Sequence, residues 1–179
     1  GFGGSCLPRD LEALLSISKN NDLTMETVKA ASVANKNQKK RMTDKLINLF
    51  DNNLKNRKIA VLGLAFKANT DDVRESAAID MLNVILDHKG IVNAYDPIAN
   101  DEMYKIINDI EYHNDIYEAV KDVDGIVIMT EWNEFRSLDL KRIKSIMRGN
   151  IVLDTRNILN MDELSDLGFV YDNVGRIKK

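Results

Sequence analysis

Cys6 is the only cysteine of the chain, and it stands in the stretch GFGGSCLPRD. Glycine lets backbone N–H groups approach a ligand closely and take positive φ, so Gly1, Gly3 and Gly4 describe a ligand-clasping loop. Pro8 follows, and Leu11, Leu14, Leu15 and Ile17 recur at helical spacing, which predicts a short helix with proline in its first turn. Cys6 then sits in front of a helix N-terminus with Arg9 within one turn, an arrangement suited to a nucleophilic thiolate. The plainer reading is an inert small hydrophobe. Asp10, four residues on, can project from the first helical turn toward the same space and act as a base or orient water.

A second group of polar residues lies mid-chain. VLGLAFK reads as a strand-to-helix turn, the place where a doubly wound sheet binds a nucleotide. Gly63 supplies the tight turn, but Leu64, Ala65, Phe66 and Lys67 follow where a dinucleotide fingerprint needs further glycines. Nucleotide binding and a purely structural turn therefore both fit these residues. Lys67 and, seven residues later, Arg74 suit recognition of phosphate or carboxylate. The alternative is a polar loop entering a helix, with Asp71, Asp72 and Glu75 near its N-terminus. Asp96 before Pro97 can bind a ribose or simply start a turn. His88 and His113 have no metal-ligand spacing and read as surface or strand-end residues, so no metal site is expected.

These residues need elements to position them. Thr24 is a candidate cap for a long helix over 25–51, carrying Val28, Ala31, Met42, Leu46, Leu49 and Phe50 on one stripe, long enough to bridge domains or to pair with a copy of itself. From Lys58 onward the pattern changes. KIAVLGLAF, VNAYD, GIVIMT and NIVLDT read as buried strands, and amphipathic segments at 79–86, 102–107, 116–120 and 140–147 separate them. That alternation predicts an α/β fold with a doubly wound parallel sheet, to which GFVYD adds an edge strand. Residues 52–56 are the candidate linker.

Composition sets the outer bounds. The 179 residues are 44% hydrophobic and 30% charged, which excludes disordered and collagen-like classes. A net charge of −3 gives no attraction to nucleic acid or anionic membrane, and Lys39-Lys40-Arg41 reads as a solvated helix face. One cysteine cannot form an internal disulfide. No apolar run predicts a membrane span and no signal peptide heads the chain, so a cytoplasmic setting is expected. A start without methionine, inside a glycine-rich loop, leads to the expectation of a piece of a longer sequence.

GFGGSCLPRD, VANKNQKKRM, VLGLAFKANTDDVRES, VNAYDP, MTEWNEFRSLDL, LDTRNIL and DNVGR, in that order, resemble the nucleotide-sugar dehydrogenases of the UDP-glucose/GDP-mannose dehydrogenase family. The resemblance covers essentially the whole chain. It implies a Rossmann-like, UDP-sugar-binding sheet over 54–179, preceded by the cysteine loop and a short helix at 1–22 and by a central helix at 23–53 that forms a homodimer. It also implies that an N-terminal NAD-binding domain is missing and that the piece is inactive alone.

The activity implied is oxidation of UDP-glucose to UDP-glucuronate with two NAD. Cys6 would form a thiohemiacetal and then a thioester, and Asp10 would position or activate water. By the same matching, Gly3, Phe66, Lys67 and Arg156 would meet the substrate, Arg156 across a subunit interface, and Arg9 and Arg74 would meet NAD. Arg9 stands where the family usually has lysine, and Ala77 where it often has proline. Dehydrogenation of GDP-mannose or UDP-N-acetylmannosamine is the neighbouring alternative. A non-catalytic nucleotide-binding or dimerisation module is the alternative of a different class.

Overall fold

The computed structural model describes residues 1–176, so the last three positions of the expected 54–179 segment lie outside the described residues. Two helices come first, α1 (Leu7–Asn20) and α2 (Glu26–Leu49). Strands and helices then alternate: β1 (Lys58–Leu62), α3 (Ala77–Asp87), β2 (Ile91–Tyr95), α4 (Asn100–Tyr104), β3 (Glu111–Tyr112), α5 (Ile116–Ala119) and β4 (Gly125–Ile128). The series closes with α6 (Asn133–Arg136), α7 (Leu140–Ile146), β5 (Ile151–Asp154), α8 (Met161–Asp166) and β6 (Val170–Asn173).

Every strand pairing is parallel, and the order is β3-β2-β1-β4-β5-β6. This is a Rossmann-like doubly wound sheet whose strand order reverses between β1 and β4. The edge strand expected at GFVYD is present as β6 beside β5, shifted to Val170–Asn173, with Gly168 in the turn before it. Alternate side chains feed two cores. Ile59, Val61 and Val127 face Met42, Leu46, Phe50, Met81 and Ile85, while Ala60, Leu62, Ile126 and Ile128 face Ile116, Phe135, Leu140, Ile143 and Leu164. β1 ends at Leu62 rather than running through KIAVLGLAF because Gly63 takes φ +91 and turns the chain.

The long helix differs from expectation in two ways. Its N-cap is Met25, with no side-chain cap, so Thr24 lies outside it. Its apolar stripe also has two destinations. Met42, Leu46 and Phe50 are buried in this chain's own core, whereas Val33 is half exposed, as are Leu14 and Ile17 of α1. At about 1.5 Å per residue, 24 residues make a rod of roughly 36 Å, and only its second half is packed on the sheet. Residues 52–56 form tight turns rather than a loose tether: Asn52 N donates to Ile47 O and Asn56 N to Lys89 O, each at 2.9 Å, and Leu54 is buried.

At the amino ends of the central strands, Asp124 joins β1 to β4. Its Oδ2 accepts from Lys58 N at 2.8 Å, and Arg148 donates to both carboxylate oxygens at 3.0 and 2.6 Å. Burial opposes ionisation here, but Arg148, the Lys58 N–H and Arg57 outweigh it and hold the carboxyl below its usual 3.8. A depressed folded value gives stability that is fully present above the usual value and is lost as pH falls through the folded one. Asp124→Asn should therefore lower Tm at pH 7, and the gap to wild type should close progressively below pH 3.8 in thermal melts.

Candidate functional site

The carboxyl ends of β1, β2 and β4 are drawn together by one buried carboxylate. Asp96 follows β2 and is 2% exposed. Its Oδ2 accepts from Leu64 N at 2.7 Å, Ala65 N at 3.1 Å and the Trp132 indole Nε1 at 3.1 Å. Its Oδ1 accepts from Ile98 N at 3.0 Å and Ala99 N at 2.9 Å. Of the two readings of Asp96, the structure selects the turn, with a wider reach: it also shapes the loop after β1. Its lone pairs are occupied, so it has none to offer a ribose.

The turn after β1 is equally constrained. Gly63 has φ +91, and a Cβ there would lie 2.5 Å from Thr130 Cβ and 2.7 Å from Thr130 N. Thr130 Oγ1 donates to Ala65 O at 2.7 Å, tying the β1 loop to the β4 loop across the point of strand-order reversal. Leu64 and Ala65 are fully buried. A dinucleotide pyrophosphate needs glycine backbone at such positions, so this crevice does not fit NAD by itself. Beyond it, Phe66 and Lys67 emerge, with the Lys67 ammonium 5.4 Å from the Phe66 ring centroid.

The cysteine loop docks on this turn. Gly4 N donates to Arg74 O at 2.9 Å. Gly4 has φ +83, and a Cβ there would lie 2.8 Å from the Phe66 ring; at Gly3 it would lie 2.3 Å from Glu75 O. Both glycines are therefore demanded by contact. The Arg74 side chain pairs with Asp72 through bonds of 2.9 and 2.8 Å. That carboxylate, by hydrogen bond and by charge, holds the guanidinium more firmly protonated than usual, while the Arg74 bond pulls the Asp72 carboxyl below the ordinary range. Gly3, Cys6, Phe66, Lys67 and Arg74, drawn from two distant sequence motifs, thus share one region.

The remaining candidates lie at its margins. Cys6 is exposed and caps α1 with its backbone, its O accepting from Asp10 N at 2.9 Å. Arg9 and Asp10 pair with each other at 3.6 Å, and their side chains are 74% and 63% exposed. The structure does not seat them against Lys67. Arg156, after β5, donates from Nε to Met129 O at 2.6 Å and lies 3.4 Å from Glu131. With Gly1, Lys39, Met42 and Thr155 it lines a cavity of about 70 Å³ between α2 and the sheet. Among the described residues no group of His, Cys, Asp and Glu could hold a metal. None of the described helices is long and apolar enough to cross a membrane.

A parallel sheet with this order, receiving a glycine-rich cysteine loop at its reversal point, defines an α/β protein of the Rossmann-like class. Residues 60–161 match the UDP-binding domain of the UDP-glucose/GDP-mannose dehydrogenase family, and the chain belongs to that family. The UDP-glucose 6-dehydrogenase of Rhizobium meliloti is 41% identical over 176 residues, 98% of this chain and 40% of that protein. UDP-glucose 6-dehydrogenase TuaD of Bacillus subtilis is 37% identical over 177 residues, 98% of this chain and 38% of the relative. Among solved structures, a UDP-glucose dehydrogenase from Pyrobaculum islandicum superposes with a TM-score of 0.83 at 31% identity, covering 96% of this chain and 37% of that one. A UDP-D-ManNAc dehydrogenase from Pyrococcus horikoshii gives 0.81 at 30%, covering 98% and 39%. The chain spans about two-fifths of the length of the curated relatives it matches.

Asp96→Asn replaces an oxygen that only accepts with an amide that must present donors to donors. Leaving two buried N–H groups unpaired, at about 1–3 kcal/mol each, should cost roughly 3 kcal/mol in urea unfolding. A loss below about 1 kcal/mol would show that the carboxylate is not the organiser of these loops.

Proposed function

We propose that this chain is the UDP-sugar-binding and thiol-bearing part of a longer UDP-glucose 6-dehydrogenase, which oxidises UDP-glucose to UDP-glucuronate with NAD. The observation that carries this reading is the docking of the Cys6 loop on the Phe66–Lys67 turn at the carboxyl edge of β1. The 41% identity to a UDP-glucose 6-dehydrogenase along nearly the whole chain supports it.

In this reading the Lys67 ammonium meets the diphosphate and the Phe66 ring walls the pocket. The Gly3 backbone approaches the sugar where no side chain would fit. NAD, which the rest of such a protein would mainly hold, would supply the hydride acceptor, and the exposed Arg74 and Arg9 are the residues of this chain that would help hold its phosphates. Cys6 adds as a thiolate to the C6 aldehyde: a sulfur–carbon bond forms and the carbonyl π pair moves to oxygen, which takes a proton. That adduct keeps the aldehyde from escaping between the two oxidations. Loss of the adduct's carbon-bound hydrogen as hydride and of its hydroxyl proton gives the thioester; water positioned by Asp10 then adds to the carbonyl carbon, the sulfur–carbon bond breaks, and the carboxylate and the Cys6 thiolate are released as the two protons of the water pass to solvent. Arg156 contributes to the sugar side of the site.

Leu14 and Ile17 on α1, Val33 on the free half of α2 and Leu23 in the connection between the two helices are apolar and exposed. A second copy of the chain is proposed to cover them. Sedimentation at micromolar concentration should show a dimer, and a stable monomer would contradict this part of the reading.

Calorimetric titration checks the substrate. UDP-glucose should bind, GDP-mannose should bind at least about tenfold more weakly, and Lys67→Ala should cost about tenfold, the equivalent of one charge-assisted hydrogen bond. Equal binding of the two nucleotide sugars, or a Lys67→Ala variant that binds like wild type, would sink the UDP-glucose assignment.

A further inference from the structure

Around the cysteine itself the loop has little apolar packing, since Cys6 and Leu7 are exposed; its apolar contacts lie earlier, at half-buried Phe2 and where Gly4 meets the Phe66 ring. Hydrogen bonds supply the rest of its anchorage, and the most complete set comes from α2. Asn35 Oδ1 accepts from Phe2 N at 2.7 Å, and Asn35 Nδ2 donates to Phe2 O at 3.0 Å. Both polar ends of one carboxamide thus satisfy both backbone groups of one loop residue, and only this orientation of the amide does so. One turn on, the Lys39 side chain is 12% exposed; its Nζ donates to Glu75 O at 3.2 Å and lies 3.1 Å from Asp80. Glu75 is a non-glycine residue at φ +53, and its carbonyl is the one that Gly3 abuts. Strained backbone of that kind persists where its surroundings over-determine it.

We infer that Asn35 is the positioning residue for Cys6: its carboxamide pins the Phe2 backbone to α2 and, with Lys39 gripping the Glu75 carbonyl one turn on, delivers the loop to the Arg74 segment. α2 can serve as the anchor because its second half is buried in the sheet core at Met42 and Leu46. This rests on the reading of Cys6 as the reacting thiol, and adds what holds that thiol in place.

Because Cys6 is the sole thiol, a nitroxide attached there reports the loop alone. In the 179-residue chain the label should show a slow-motion spectrum in wild type and a predominantly fast one in Asn35→Asp, a variant of equal size that cannot donate to Phe2 O. Hydrogen exchange at the Gly4 amide of the unlabelled variant should quicken about tenfold or more, since local opening becomes easier. Tm should stay within about 2 °C of wild type, which separates loop positioning from general stability. Asn37→Ala, at an exposed position of the same helix, is the control and should leave both readouts unchanged. An Asn35→Asp chain with the wild-type spectrum and the wild-type Gly4 exchange rate, or a control that reproduces the change, overturns the inference. Absence of UDP-glucose binding would instead strike the functional reading and leave the label's spectrum untouched, so the two fail separately.

Discussion

One buried carboxylate does most of the organising at the functional end of this molecule. The loops that follow β1 and β2 present backbone N–H groups that the sheet cannot pair, and in a buried setting each must find an acceptor. Asp96 accepts four of them together with the Trp132 indole. The loop after β1 is thereby closed down, its inner residues Leu64 and Ala65 become core, and Phe66 and Lys67 are the first side chains able to leave it. The same closure removes the room that a dinucleotide would need. One interaction thus both shapes the crevice and restricts what it can hold.

The second organising feature is the division of labour along α2. Its later turns are core, contributing Met42, Leu46 and Phe50 to the same cluster as β1 and α3. Its earlier turns carry Asn35 and Lys39 on the face toward the cysteine loop and leave Val33 half exposed. The helix therefore transmits the rigidity of the sheet to a loop whose cysteine end is exposed. Packing continues across the junction between residues 53 and 54, with Leu54 as buried as the strand residues that follow.

What was legible in the sequence follows from which groups carry the information. Buried parallel strands appear as runs of Val, Ile and Leu, so β1, β2, β4, β5 and β6 could be read directly, and with them the doubly wound fold. The two residues of β3 and the four of α6 are too few to show a period. Cys6, Lys67 and Arg74 were recognisable as chemistry-bearing because their side chains announce it. Their meeting was legible only through the family resemblance and not from the residues themselves, because it depends on Gly4 N donating to Arg74 O, a bond between two backbones that no side chain records. Asn35 was hidden for a related reason: its partner is the backbone of Phe2, and an asparagine on a polar helix looks the same whether or not it grips another segment.

The central place of β1 also governs how the chain can assemble. One of its edges is completed by β2, which follows closely, but the other waits for β4, with Ile59 pairing beside Gly125. A chain emerging from the ribosome therefore carries an unpaired edge of Ile59, Ala60, Val61 and Leu62 until the whole β2–α5 segment has been made. Such an edge is a template for wrong partners, and long-range parallel pairing is slow to form. The strand that holds the site together when folded is thus the one most exposed to misassembly before folding is complete.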